Sequence, residues 1–304
     1  MRYPTVHVNR HSRVAASCLL AVFVPAIIAA QSAPAPQAAA IERTPVLVEL
    51  FTSEGCPHCP EADALLERLY TTQPVNGTEI IALEEHVDYW DRPDWTDHYS
   101  SPFFTERQKA YADAMDLDSL YTPQMVVDGL MEFVGVSESR ARTAINTLSH
   151  APKGTVHLTP QPIERGKPGP FKVEVSLDLP AGHAAADVFL VVAEDKLYSR
   201  VDGGSNKGER WPHSSIARHF EHVGAVPASQ QHFGGTIELK LPDDPQKWQN
   251  LRVIVIAQAT EDRPVLALRS LRLADFLPQL RGETQPTATA APKAGPGSSK
   301  TTGP

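Results

Sequence analysis

Cysteine is scarce in this chain of 304 residues: there are three, Cys18, Cys56 and Cys59. So few leave no second cysteine pair to complete a zinc site around the first. Positive charge is also short, 28 Lys and Arg against 36 Asp and Glu, for a net charge of −8. That balance argues against nucleic acid or an anionic membrane surface as the main partner. Internal repeats are absent. What remains is an ordinary globular composition, 41% apolar and 21% charged, in a chain longer than one average domain. Two domains are therefore expected.

The first thirty residues read as a secretory signal. Arg2, Arg10 and Arg13 precede an apolar run from Val14 to Ala30 that closes on small residues. Cleavage is expected after Ala30, with Ala38-Ala39-Ala40 as the second choice. An uncleaved anchor is the alternative, although a spanning helix needs about 20 apolar residues and this run is marginal. Cys18 lies inside the run and leaves with it. A lipid-modified cysteine would need the apolar stretch ahead of it, and here most of that stretch follows. Residues 31–44, rich in Ala, Pro and Gln, read as a linker, and 282–304 as a disordered tail. The mature chain is expected to be secreted or periplasmic, with no stable membrane span.

Cys56 and Cys59 are then the only thiols left, two residues apart. A bridge closing so small a loop restricts the unfolded chain little, so redox chemistry explains the pair better than structural use. A zinc site and an inert bridge are the alternatives.

Val46–Phe51 is a β-rich run ended by Thr52-Ser53-Glu54-Gly55, directly before the dithiol. Ala62, Leu65, Leu66 and Leu69 then recur at helical spacing. Glu79–Leu83 reads as a second strand, and Phe104–Met115 as a helix. Gln124–Val127 and Met131–Val134 form a hairpin across Asp128-Gly129, and Ser137 caps a closing helix to about Leu148. Strand, helix, strand, inserted helix, hairpin, helix is the minimal thioredoxin architecture, expected over 45–150. From Gly154 the pattern changes. Phe171–Leu179 and Ile237–Leu241 alternate with period two, while Asp187–Ala193 and Leu251–Ala257 are continuous apolar runs. The fold expected is an α/β thioredoxin-like domain followed by an all-β, sandwich-like domain over 154–278.

A thiolate at a helix N-terminus meets the positive end of the helix dipole, which favours it over the thiol. Cys56 is thus expected to attack, Cys59 to resolve the mixed disulfide, and His58 to tune the thiolate when protonated. Proteins of this fold carry a cis-proline before the third strand, beside the dithiol; Thr122-Pro123 occupies that place and is expected to position a partner peptide. An ordinary trans turn proline is the alternative. Glu49, on the first strand, is a possible proton relay to the resolving cysteine, or else a surface carboxylate. His86, Trp90 and Trp95 could rim the active face as a partner surface, or simply cover a core edge. His219 and His222 form a loose H-x-x-H whose members face opposite sides of a strand.

Cys56-Pro57-His58-Cys59 is similar to the tetrapeptide of periplasmic disulfide-forming oxidases of the DsbA type. More of the chain resembles a family of secreted bacterial proteins with a thioredoxin-like fold and a domain of unknown function. The matching segments are Val48–Cys56 with Cys59-Pro60, His86–Asp91, Ser101–Gln108 and Tyr121–Gly129, then Asn206, Gly208, His213 and Arg218. Many members carry small residues between the cysteines. Pro57-His58 departs from them toward oxidase-like chemistry, and the family itself implies a fold without a substrate.

The leading expectation is an exported thiol–disulfide oxidoreductase acting on protein dithiols or disulfides, or on a redox partner, with no cofactor and no resident metal. A non-enzymatic envelope binding protein with a vestigial or sensing dithiol is the second. Copper or zinc handling through Cys56, Cys59 and His86 is the third.

Overall fold

Val46 to Phe51 is apolar at every position but Glu49, and a strand of that kind must be covered on both faces. The computed structural model, which describes residues 43–161, 170–241 and 245–277, supplies the two covers. The expected signal peptide, most of the linker and the C-terminal tail lie outside the described residues.

The first part of the chain runs β1 (Thr44–Thr52), α1 (Cys59–Thr72), β2 (Thr78–His86), α2 (Pro102–Ala114), β3 (Gln124–Val127), β4 (Met131–Val134) and α3 (Glu138–Leu148). The second runs β5 (Thr155–Pro160), β6 (Phe171–Asp178), β7 (Ala186–Glu194), β8 (Leu197–Arg200) and β9 (Arg210–His213). It continues with β10 (Ile216–Val226), β11 (His232–Leu239), β12 (Leu251–Ala259) and β13 (Val265–Arg272). Several local signals act as expected. The Ser137 hydroxyl accepts from Arg140 N to cap α3. Asp128 and Gly129 take φ of 49° and 71° to turn the β3–β4 hairpin.

The sheet, however, does not stop at the expected boundary near residue 150. Eight strands form one mixed sheet in the order β13-β12-β7-β10-β2-β1-β3-β4. β1 and β2 are parallel, β3 is antiparallel to β1, and the join between the two parts is β10 against β2, with Ile216 opposite Glu84. Side chains lock that join. Buried Arg252 donates to the Ala82 carbonyl and to Asp195, with its guanidinium 4.5 Å from the centre of the Tyr70 ring. The sandwich expected for the second part is present only as a smaller sheet, β11-β6-β5, laid on part of the large one.

Residue parity separates the layers. Val46, Val48, Leu50, Ile80 and Ala82 face α1 and α3. Leu47, Phe51, Ile81 and Leu83 face α2, together with Val191, Ile254 and Ile256 of the second part. Val188, Leu190, Val253 and Val255, of the opposite parity, pack on Val173, Val175 and Leu177 of the small sheet. One face of the large sheet is thus covered by α1, α3 and the small sheet, and the other by α2. Each large aliphatic side chain sealed this way contributes about 1.5–3 kcal/mol.

Candidate functional site

β1 delivers the chain to Ser53-Glu54-Gly55, and Cys56 follows in a turn whose amide donates to Ser53 O at 3.1 Å. The helix starts later than its sequence suggests. α1 begins at Cys59, with His58 at the N-cap and no side-chain cap, so Cys56 lies in the turn ahead of the helix. Pro60 at the second helical position gives up only an amide that would have had no partner. The two sulfurs are joined as a disulfide with Cα atoms 5.5 Å apart. His58 between them is exposed.

Thr122-Pro123 is a cis peptide. Gln124 pairs with Phe51, which sets Pro123 level with the end of β1 from which the chain runs into the dithiol. Trp90 links the two features: it packs on the cysteine cluster, and its indole donates to Thr122 Oγ1 at 2.7 Å.

Both cysteines are 0% exposed, and the burial of the attacking Cys56 as fully as Cys59 is not what the sequence leads one to expect. The cover comes from the β8–β9 segment of the second part. Val201 and Trp211 pack on the sulfurs with Trp90 and Trp95. Asn206 Nδ2 donates to Glu54 O at 2.9 Å and to Cys56 O at 2.8 Å. A Cβ on Gly203 would stand 2.2 Å from Trp95, and one on Gly204, at φ 68°, 2.8 Å from Gly55 Cα. Two adjacent glycines are what let this loop lie directly on the dithiol turn. Trp90 and Trp95 are half-buried beneath it, closer to a cover than to an open rim.

Two expected site residues are elsewhere. Glu49 is neither a surface carboxylate nor a neighbour of Cys59. Its parity turns it to the α2 face, away from α1, where Arg107 binds it at 2.5 Å and Tyr111 donates to it at 2.5 Å. Burial works against the Arg107 charge, but Glu49, Tyr111 and Glu85 outweigh it and fix the guanidinium in its charged form. His86 is 1% exposed and rims nothing. β2 runs three residues past the apolar stretch, and its parity turns Glu84 and His86 to the α1 face. His219 pairs with Glu221, and His222 with Asp187, so they do not meet over a shared ligand.

Behind the dithiol, His86 belongs to a buried polar cluster. Its Nδ1 lies 2.8 Å from Asp97 and its Nε2 3.0 Å from Glu84 Oε1. His213, from β9, places Nδ1 2.7 Å from the same Glu84 oxygen, and Nε2 2.9 Å from Ser199 and 3.2 Å from Glu54. Trp211 stacks on His213 with ring centres 5.9 Å apart, between this cluster and the cysteines it also packs on. Burial raises the Glu84 carboxyl, yet the two histidines outweigh it and hold it at about 2. Burial likewise lowers His213, but Glu84 and Glu54 lift it to about 9. Asp97 is pushed up by burial and brought well below the carboxylate range by His86. Asp63, one turn of α1 beyond Cys59, is raised well above its usual value by burial and then by Glu84.

Sequence reading named His86 and His213 without connecting them, and missed Glu54, Asp63, Glu84 and Asp97. The signal available was parity: two polar residues, 84 and 86, continuing the buried face of β2.

The molecule is a sheet-rich α/β protein with a bridged C-x-x-C at the head of its first helix. It belongs to the family described as a protein of unknown function, DUF1223, which matches residues 47–258. Over 96 residues the chain is 29% identical to a thioredoxin of Methanocaldococcus jannaschii, covering 32% of this chain and 86% of that one. A crystal structure of a protein from Agrobacterium tumefaciens matches 80% of this chain and 96% of its own, with a TM-score of 0.57 and 23% identity. That second likeness is one of fold.

Proposed function

We propose that this chain is an exported thiol–disulfide oxidoreductase acting on protein cysteines through Cys56 and Cys59. The observation that carries the reading is the bridged pair at the head of α1, entered from the end of β1 that stands level with the cis peptide Thr122-Pro123. The likeness to a thioredoxin supports it, and the basic, then apolar N-terminus supports export. In the oxidising direction, a partner thiolate attacks Cys56 Sγ and the Cys56–Cys59 bond breaks, with Cys59 leaving as thiolate. A second partner thiolate then attacks the partner sulfur of the mixed disulfide and releases Cys56. Two electrons pass to this chain, and the partner gains its bridge. The β8–β9 cover must move for the first attack.

Complete burial of both sulfurs favours a second reading, a non-enzymatic envelope protein whose bridge is structural or senses redox state slowly. Alkylation of the reduced full-length chain against pH, with a dithiol-peptide oxidation assay, separates the two. The first reading expects a Cys56 thiolate well below the ordinary value of about 8.5 and catalytic turnover. A value near 8.5 without turnover leaves the second.

A further inference from the structure

The polar cluster behind the disulfide is built like a metal centre. We propose that Glu84, His86 and His213 form a buried three-residue site for a divalent first-row cation of zinc type. The inference is independent of the redox reading, because no cysteine takes part.

Convergence is the first argument. One donor atom from each of Glu84, His86 and His213 lies within 4.8 Å of the others, and all three side chains are buried. The donors come from β2 and from the end of β9, 129 residues apart in sequence. The Glu84 oxygen stands 3.0 Å from one ring nitrogen and 2.7 Å from the other. Tetrahedral zinc with bonds of about 2.0–2.2 Å sets its donors roughly 3.4 Å apart. Each ring nitrogen would move away from the Glu84 oxygen by about 0.4–0.7 Å to make room for the ion.

The outer nitrogens supply the second argument. A metal-bound imidazole needs its other nitrogen fixed by a carboxylate, carbonyl or similar acceptor. His86 has Asp97 in that role at 2.8 Å, and His213 has Ser199 and Glu54 at 2.9 and 3.2 Å. The inner nitrogens, by contrast, share a single carboxylate oxygen.

The third argument is the surplus of buried acid. Apart from Thr52 beside it, Asp63 has no hydrogen-bond donor at its oxygens, and Glu54 Oε2 is also without a partner. Asp63 senses the charges of Glu84, His86 and His213 together. Four buried carboxyl groups, of residues 54, 63, 84 and 97, lie around two imidazoles. A buried carboxylate without a partner is strongly unfavourable, and a cation is one way to compensate it. Two imidazoles with hard carboxylate oxygens are a donor set that suits zinc.

The test uses the full-length chain, stripped with a chelator in denaturant and refolded with ZnCl2 or CoCl2. After gel filtration, bound metal is counted by mass spectrometry, and the cobalt form is examined for visible ligand-field bands. Retention of one metal per chain is expected, and the Cys56→Ser/Cys59→Ser variant should retain it equally. Glu84→Gln and His213→Gln should lose it, and Asp97→Asn should bind about 10–100-fold more weakly. A wild-type chain that retains neither metal overturns the proposal, as do Glu84 and His213 variants that bind like wild type. Should those variants fail to fold, the wild-type melting temperature decides: a rise with stoichiometric zinc supports the site, and no rise overturns it.

Discussion

Asn206 reaches across 150 residues of sequence to donate to the carbonyl oxygen of Cys56 at 2.8 Å. The same amide nitrogen holds Glu54 O, so one side chain fastens the β8–β9 segment to the backbone on both sides of Gly55. Reactivity at the sulfurs is therefore coupled to the stability of this cover. Each of the two hydrogen bonds is worth about 0.5–1.5 kcal/mol net. Asn206→Ala should favour the open cover by about 1–3 kcal/mol, roughly 5- to 150-fold in its population. The rate at which dithiothreitol reduces Cys56–Cys59 should rise accordingly. An unchanged rate would mean that the cover opens by a route that leaves this contact intact.

The glycines of the cover make a sharper test. Gly204 has φ 68°, and a Cβ there meets a backbone atom that cannot rotate away. Left-handed backbone alone costs an L-residue about 1–2 kcal/mol. Gly182, at φ 81° with open space around it, carries the same strain far from the dithiol. Gly182→Ala should lower the urea midpoint and leave the reduction rate alone. Gly204→Ala should lower the midpoint and also speed reduction. Equal reduction rates in the two variants would show that the cover does not control access.

How much of this could be read from sequence depended on the range of the interactions. The dithiol, the Asp128-Gly129 hairpin and the Ser137 cap are local, and each is written in adjacent residues. The pairing of Ile216 with Glu84 is not, because a strand does not carry the address of its neighbour. Alternation in Phe171–Asp178 correctly showed one buried face, yet the continuous runs of β7 and β12 gave no hint that they extend the first sheet. Burial of the dithiol was hidden for the same reason: its cover comes from residues 197–213, at the far side of the fold in sequence. Glu49 was misplaced by a different cause. Its parity on β1 sends it to the α2 face, and Arg107, Tyr111 and Gln258 waiting there come from two separate parts of the chain.

That placement predicts a dissociation between stability and reactivity. Among the described residues, Glu49→Gln leaves Arg107 charged and buried with only Glu85 as an acidic partner, at 3.5 Å. Breaking a buried pair in this way costs about 3–5 kcal/mol. The pH profile for alkylating Cys56 and Cys59 in the reduced chain should stay where it is, since the sheet separates Glu49 from α1. A shifted profile would restore Glu49 as a proton relay.

The hairpin turn offers a test by pH. Asp128 accepts from Leu47 N at 2.9 Å through Oδ1 and pairs with Lys153 at 2.7 Å through Oδ2, with both side chains almost wholly buried. Burial lowers the Lys153 pKa, and the Asp128 charge opposes it. Asp128→Asn keeps the acceptor and a residue type that tolerates the turn's φ of 49°, but it removes the counter-charge. The folded pKa of Lys153 should then fall further below its unfolded value of about 10.4. Between those two values the unfolded chain binds more protons than the folded one, so stability rises with pH. The variant should therefore be about 3–5 kcal/mol less stable than wild type near neutral pH. Its deficit should shrink as pH climbs toward 10, measured by urea denaturation at stepped pH. A deficit that stays constant over that range would show that Lys153 escapes to solvent when its partner is lost.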